Sequence, residues 1–205
     1  MAGGGLEAVL IDWSNSPPFG RRKTLIGTLD LLAERKSDEQ IIVEVGTSEA
    51  YSPDGLGNAL LAFAYYADLS GGMVHAVDIR EGAVQNSGAI LREHYPNGTM
   101  ATTFHRADAF EYAAFVNDPA HDWSLSKIDL IYYDGPSEPA FWYVELHRRW
   151  GHLFRSGALA LFDDTDPQSF AGKGALLIPY LLGTGWRIVP VDGEPVSPMA
   201  LLEKT

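Results

Sequence analysis

The chain has 205 residues, a formal net charge of −12 and no cysteine. A chain of this length most often folds as one domain around one sizeable core. Disulfides and thiolate chemistry are excluded without cysteine, and a strongly negative field disfavours a nucleic-acid partner because it repels phosphate. No apolar run reaches the roughly 18 residues that a membrane-spanning helix needs, and the N-terminus has no signal-peptide pattern. We therefore expect a cytoplasmic protein with no membrane partner.

Apolar runs typical of buried strands alternate with helical patterns along the chain. Helical patterns are predicted over 21–36, from residue 56 onward, over 81–93, within 109–126, over 139–154 and over 174–182. Strands are predicted over 41–45, 73–78, 101–105, 128–135 and 157–164, with a closing pair at 186–191 and 199–203 around an Asp192-Gly193 turn. This alternation predicts an α/β fold with a Rossmann-like, mostly parallel seven-stranded sheet, helices on both faces and the last strand antiparallel.

The first predicted strand leads directly into a turn that contains a glycine. Residues 41–45, Ile-Ile-Val-Glu-Val, are nearly all apolar and β-branched, which is typical of a strand buried on both faces. Glu44 is costly in such a strand unless another group hydrogen-bonds to it. Gly46 follows, and its missing Cβ lets backbone approach a ligand closely. Because ligands bind at the carboxyl ends of strands in open α/β sheets, this turn is the predicted centre of a ligand site.

Acidic residues recur at or just past the ends of the predicted strands: Glu44, Asp78, Asp108, Asp134, Asp163 and Asp164. A single acid there is usually a loop residue or a helix cap, but the repetition predicts that these carboxylates share one crevice. Asp78 follows the second strand, where an acid accepts hydrogen bonds from ribose hydroxyls, and this predicts a ligand that contains a nucleoside.

The last three of these acids form a group of their own. Asp134, Asp163 and Asp164 would repel one another unless a cation joined them. Oxygen ligands without histidine or cysteine select Mg²⁺, Ca²⁺ or Mn²⁺. The alternative is that Asp164 caps a short turn through Thr165 and that no metal binds.

Together these motifs resemble those of class I S-adenosylmethionine-dependent methyltransferases, and more narrowly the metal-dependent O-methyltransferases of catechol and macrolide-sugar type. The resemblance covers about residues 40–165. Motif I of that family, acid-x-Gly-x-x-x-Gly followed by Tyr-Ser, is matched by residues 44–52, with Ala50 in place of the second glycine. Residues 77–80 resemble the ribose-binding segment and residues 107–110 the adenine-side segment. Residues 129–135 and 161–165 resemble the strands whose acids bind metal.

The helical pattern before the first strand predicts a helical cap over residues 1–40, which is also a candidate lid or homodimer contact. Residues 41–205 are the predicted methyltransferase domain. The resemblance implies transfer of a methyl group from S-adenosylmethionine to a hydroxyl of a small molecule such as a sugar, a catechol or a natural product. The implied cofactor-binding residues are Glu44, Gly46, Thr47, Ser52, Asp78, Ile79, Asp108, Ala109 and Asp134. The implied Mg²⁺ site, on which two vicinal hydroxyls would be held, is formed by Asp134, Asp163 and Asp164.

The general base is the least defined part of the predicted site. Relatives carry it two or three positions past the metal-binding acid, where this sequence has Pro136 and Ser137. The candidates that assist Asp134 in catalysis are therefore Glu138, His147 or the metal alone. Among the nearby aromatic residues, Trp142 and Tyr143 cannot both face inward, so one of them is expected at the mouth of the site.

Other function classes match the sequence less well. A nicotinamide-dependent oxidoreductase needs Gly-x-Gly-x-x-Gly after the first strand, which residues 46–51 do not supply. A phosphatase would need an Asp-x-Asp-x-Thr motif, which residues 163–166 do not match. A nucleic-acid methyltransferase is expected to show a basic face, and none is apparent in this sequence. A non-catalytic sensor or scaffold that binds the cofactor stays open, because Ala50 and the missing base both depart from the family pattern.

Overall fold

The computed structural model of the protein describes residues 20–35, 39–47, 59–116, 127–135, 141–166, 169, 171–190 and 199–205. The helices are α1 (Gly20–Glu34), α2 (Ala59–Ser70), α3 (Glu81–His94), α4 (Ala109–Val116), α5 (Phe141–Trp150) and α6 (Leu177–Leu182). The strands are β1 (Ile41–Val45), β2 (Met73–Asp78), β3 (Thr102–Arg106), β4 (Ile128–Tyr133), β5 (Phe154–Phe162), β6 (Trp186–Val189) and β7 (Ala200–Lys204). No helix among these residues is long and apolar enough to cross a membrane.

All the strands belong to one seven-stranded sheet in the order β3-β2-β1-β4-β5-β7-β6. Strands β1 to β5 run parallel, and β7 is antiparallel to both of its neighbours, β5 and β6. The chain leaves β1 for β2 on one side and later returns to β4 on the other side, so the strand order reverses between β1 and β4. The predicted sheet, with its antiparallel last strand, is confirmed, and this reversal puts a ligand crevice at the carboxyl ends of β1, β2 and β4.

Helices cover both faces of the sheet. Alternate side chains of the central strand β1 pack on opposite faces. Val43 and Val45 belong to the apolar cluster formed with α4, α5 and α6. Ile42 belongs to the cluster formed with α1 and α2. Burial of each such aliphatic side chain contributes roughly 1.5–3 kcal/mol to the stability of the folded state. Packing on both faces therefore holds the strands that carry the groups at the edge of the sheet.

One difference from the sequence prediction concerns the end of a helix. The helix predicted over 139–154 ends earlier, because α5 stops at Trp150 and Phe154 already pairs with Ile128 as the first residue of β5. Leu153 and Phe154 continue the apolar spacing of the helix, so their local pattern does not reveal that the chain has turned toward the sheet. The predicted Asp192-Gly193 turn lies outside the described residues, while the strands on either side of it pair as predicted.

Candidate functional site

A cavity of about 460 Å³ opens at the carboxyl ends of β1, β2 and β4. Its volume lies in the range of about 300–1,000 Å³ that is usual for small-molecule sites. Six of the residues predicted to bind a cofactor line this cavity: Gly46, Asp78, Ile79, Asp108, Ala109 and Asp134. Arg80 and Trp142 also line it, whereas Tyr143 is fully buried in the core. Trp142 is therefore the aromatic residue at the mouth.

Gly46 is fixed by the backbone of the neighbouring strand. Its φ is +89°, a left-handed conformation that side chains disfavour. A Cβ at this position would lie 2.5 Å from the Asp134 carbonyl oxygen, and the Gly46 N–H donates to the Val77 carbonyl at 2.9 Å. The sequence suggested that this glycine makes room for a ligand; the structure shows that it first makes room for Asp134 and Gly135.

The Asp78 carboxylate is held by backbone and by one arginine. It accepts hydrogen bonds from the N–H groups of Thr47 at 2.9 Å and Arg80 at 2.8 Å. The Arg80 guanidinium also donates to it from two nitrogens, at 3.0 and 2.8 Å. Burial alone would raise the pKa of Asp78, but these hydrogen bonds outweigh burial and lower it. Asp78 is therefore an ionised acceptor at the cavity wall.

Asp108 combines a structural task with its place in the cavity wall. Its Oδ1 accepts the Phe110 N–H at 2.7 Å, so this acid caps the first turn of α4. Ala109, the first residue of that helix, lies beside it in the wall. Both the capping role and the crevice position considered for this acid are thus present at once.

Glu44 is a buried carboxyl in the middle of the sheet. The residue is 3% exposed, and its Oε2 has no hydrogen-bond partner among the described residues. Burial raises its pKa well above 4.5, and the charges of Asp134 and Asp78 raise it further. Burial therefore favours the protonated, neutral form of this carboxyl, and the group keeps an unused hydrogen-bonding oxygen close to two acids of the crevice.

The three acids predicted to bind metal come together, as expected. One carboxylate oxygen from each of Asp134, Asp163 and Asp164 can be chosen so that all three lie within 4.8 Å of one another. Asp163 is buried, while the side chain of Asp164 is 51% exposed. The sequence prediction that β4 and β5 bring these acids to one point is confirmed.

A lysine that the sequence analysis did not single out lies among these acids. Lys173 is 4% exposed, and its Nζ lies 2.6 Å from Asp134 Oδ1 and 3.1 Å from Asp164 Oδ2. The nearest oxygen of Asp163 is 3.9 Å away. Burial would lower the pKa of Lys173, but the charge of Asp134, its hydrogen bond and the charge of Asp163 outweigh burial and raise it. Lys173 is therefore a cation and not a base.

A tight loop after β5 carries this lysine into the cluster. Thr165 and Gly172 form an isolated antiparallel bridge that closes the loop. Gly172 has a φ of +98°, and a Cβ there would lie 1.8 Å from the Asp164 carbonyl oxygen. The next N–H groups are also engaged, Lys173 with the Asp164 carbonyl at 3.4 Å and Gly174 with Thr165 Oγ1 at 3.0 Å. In the sequence, the two glycines on either side of Lys173 are the signal that could have suggested a turn at this point.

His147, one of the two candidate bases, is not placed in the crevice. His147 is 4% exposed, and its Nδ1 lies 2.8 Å from the Tyr133 hydroxyl. Its ring stacks on Phe154 in the core beneath α5, at 4.8 Å between centroids. Burial, and then the charge of Lys204, lowers the pKa of His147 to about 3. We therefore leave His147 out of the catalytic group, while Glu138 and Ser52 lie outside the described residues.

The fold that surrounds this crevice is that of the class I S-adenosylmethionine-dependent methyltransferases. One similar solved structure is a TDP-rhamnose 3′-O-methyltransferase of calicheamicin biosynthesis, with a TM-score of 0.60, 18% identity, and coverage of 98% of this chain and 92% of that chain. A second is an rRNA methylase from Streptococcus thermophilus, with a TM-score of 0.59, 16% identity, and coverage of 88% and 95%.

A third similar structure is the magnesium protoporphyrin IX methyltransferase from Synechocystis, solved with bound S-adenosylmethionine, with a TM-score of 0.56, 15% identity, and coverage of 91% and 80%. No protein-family model matches the sequence, and no curated protein is significantly similar to it. Identities this low show a shared fold and do not show a shared substrate.

Proposed function

We propose that the protein is an S-adenosylmethionine-dependent methyltransferase that methylates a hydroxyl of a small molecule. The observation that carries this proposal is the cavity at the strand-order reversal, whose wall contains Gly46, Asp78, Asp108 and Asp134 together. The net charge of −12 disfavours a nucleic-acid acceptor, because phosphate backbones would be repelled.

The residues present fit a nucleoside with a cationic tail. Asp78 is an ionised acceptor suited to ribose hydroxyls, and those hydroxyls would take hydrogen-bonding positions now used by Arg80. Ile79, which is 63% exposed, offers an apolar surface for the base between Asp78 and α4. Glu44 has an unused oxygen near the crevice acids, which suits the ammonium or sulfonium end. S-Adenosylmethionine supplies the methyl group when it is bound.

The acceptor belongs at the Asp134 side of the cavity, where Gly135 and Trp142 complete the wall. In the proposed reaction the acceptor oxygen would form a bond to the methyl carbon as the carbon–sulfur bond broke, S-adenosylhomocysteine would leave, and the hydroxyl proton would pass to solvent. Holding the oxygen and the methyl group in line is the main task of the protein. The resemblance also implied Mg²⁺ at Asp134, Asp163 and Asp164. Because the ammonium of Lys173 already lies among these acids, the set does not fit a divalent ion as it is folded, and we derive no step through a metal.

Calorimetric titration with S-adenosylmethionine and S-adenosylhomocysteine tests the proposed ligand. We expect both to bind the wild-type chain, and we expect Asp78→Asn to weaken binding at least tenfold, because charged hydrogen bonds contribute roughly 1.5–3 kcal/mol. Asp30→Asn removes an exposed acid on α1 and is the matched control. Equal affinities for Asp78→Asn and the wild type would contradict the assignment of the ribose site.

A sensor or scaffold that binds the cofactor without turnover is the second candidate. It is favoured by one observation, which is that no histidine lines the described part of the cavity and His147 is in the core. Formation of S-adenosylhomocysteine in the presence of catechol or simple sugars, with and without EDTA, separates the two functions. Binding without any turnover across such acceptors would support the sensor.

A further inference from the structure

The acids that resemble a divalent-metal site enclose a positive charge supplied by the chain. The Lys173 ammonium is within 4 Å of a carboxylate oxygen of Asp134, Asp163 and Asp164, and the residue is 4% exposed. A divalent ion would need oxygens from the same three carboxylates at about 2.0–2.6 Å. The ammonium and the ion would therefore compete for one place.

The charges explain why the lysine is stable there. Three carboxylates within 4.8 Å of one another repel unless a cation lies between them. Lys173 meets this need, and an additional divalent ion would be repelled by the ammonium at short distance. A metal could enter only if the lysine left, and a lysine that leaves this cluster loses its close contacts with two carboxylates.

The backbone also holds the lysine in place. The bridge between Thr165 and Gly172 fixes the loop next to β5, and the left-handed Gly172 is tightly packed against the Asp164 carbonyl. The residue after the lysine is held as well, since the Gly174 N–H donates to Thr165 Oγ1 at 3.0 Å. The backbone next to Lys173 is thus held against Asp164 and Thr165 by these contacts.

We propose that Lys173 takes the place of the divalent ion, so that the protein needs no metal and the ammonium itself holds the acceptor oxygen. This proposal rests on the proposed methyltransferase function. The ammonium lies 2.6 Å from Asp134 Oδ1 and 3.1 Å from Asp164 Oδ2, and its remaining hydrogen would be the donor to the acceptor. An ammonium donates single hydrogen bonds and does not chelate. The acceptor therefore needs only one hydroxyl, and a vicinal pair is not required.

The test is Mn²⁺ binding, measured by electron paramagnetic resonance on the full chain at equimolar Mn²⁺. We expect the wild type to leave the spectrum of free Mn²⁺ unchanged. Lys173→Ala removes the ammonium and leaves three acids around a cavity, so it should bind one Mn²⁺ and gain thermal stability from it. Lys127→Ala removes an exposed lysine just before β4 and should behave as the wild type does.

A lysine that only holds the loop together would weaken folding when it is removed, but it would not create a new metal site. Stoichiometric Mn²⁺ binding by the wild type, abolished in Asp164→Asn, would overturn the proposal, and so would a folded Lys173→Ala that binds no Mn²⁺. If Lys173→Ala does not fold, the wild-type spectrum still decides. The cofactor titration is independent of these results: absence of S-adenosylmethionine binding would refute the proposed function, whereas Mn²⁺ binding by the wild type would refute only the role of Lys173.

Discussion

Replacement of Glu44 by glutamine should stabilise the protein as the pH rises. Glu44 is buried, and burial raises its pKa well above 4.5, with smaller contributions from Asp134 and Asp78. In the unfolded chain the same group loses its proton near its ordinary value. Between these two pKa values the folded state therefore binds one proton more than the unfolded state.

The sign and size of the effect follow from this proton. An excess of one bound proton in the folded state lowers the free energy of unfolding by about 1.4 kcal/mol for each pH unit. The contribution of Glu44 is fully present below the unfolded pKa and is lost as the pH rises through the folded pKa. A glutamine side chain at this position would resemble the neutral form of Glu44 and has no proton to lose. The free energy of unfolding of Glu44→Gln should therefore exceed that of the wild type by an amount that grows with pH from 4.5 upward.

Urea unfolding of the wild type and Glu44→Gln at several pH values, from about 5 to about 7, measures this difference. Glu93→Gln, which changes an exposed carboxyl on α3, controls for the loss of one charge. We expect the gap between Glu44→Gln and the wild type to widen by about 1.4 kcal/mol per pH unit. A gap that stays constant over this range would refute the claim that burial raises the pKa of Glu44.

Two further predictions concern the same edge of the sheet. The positive end of S-adenosylmethionine near Glu44 should lower the pKa of Glu44 and so release a proton on binding. Titrations at several pH values above 4.5, in buffers with different ionisation enthalpies, should then give different heats, and Glu44→Gln should abolish that difference. Gly46→Ala should lower the free energy of unfolding by more than Gly71→Ala, because both glycines have positive φ, costing roughly 1–2 kcal/mol, but only at Gly46 would the Cβ meet backbone, 2.5 Å from the Asp134 oxygen. Equal losses in urea unfolding would mean that the backbone beside Gly46 yields without cost.

The crevice could be predicted because its members occupy repeated positions in the sequence. Asp78 and Asp134 come at the ends of short, mostly apolar runs, Asp108 follows the more polar strand β3, and parallel strands bring such positions to one edge. The same logic brought Asp163 and Asp164 to Asp134. The ends of helices were less predictable. Phe154 continues the apolar spacing of the preceding helix, but in the structure it pairs with Ile128 as part of a strand.

The neighbours of each acid could not be predicted in the same way. Lys173 is 39 residues from Asp134 in sequence, yet its ammonium lies 2.6 Å from that carboxylate. His147 shows the reverse case, because it follows the predicted metal acid in sequence but packs on Phe154 in the core. Nothing in the local pattern around either residue specifies which group it meets.

The sequence by itself determined the α/β alternation, the strand-end acids and the glycine turn after β1, because hydrophobic period and strand polarity act locally. The tertiary structure decided the charges, since burial raises the pKa of Glu44, Arg80 and two backbone N–H groups lower the pKa of Asp78, and the bridge between Thr165 and Gly172 places Lys173 among three carboxylates. These outcomes depend on desolvation and on distances of a few ångströms between groups far apart in the chain, which no local pattern contains.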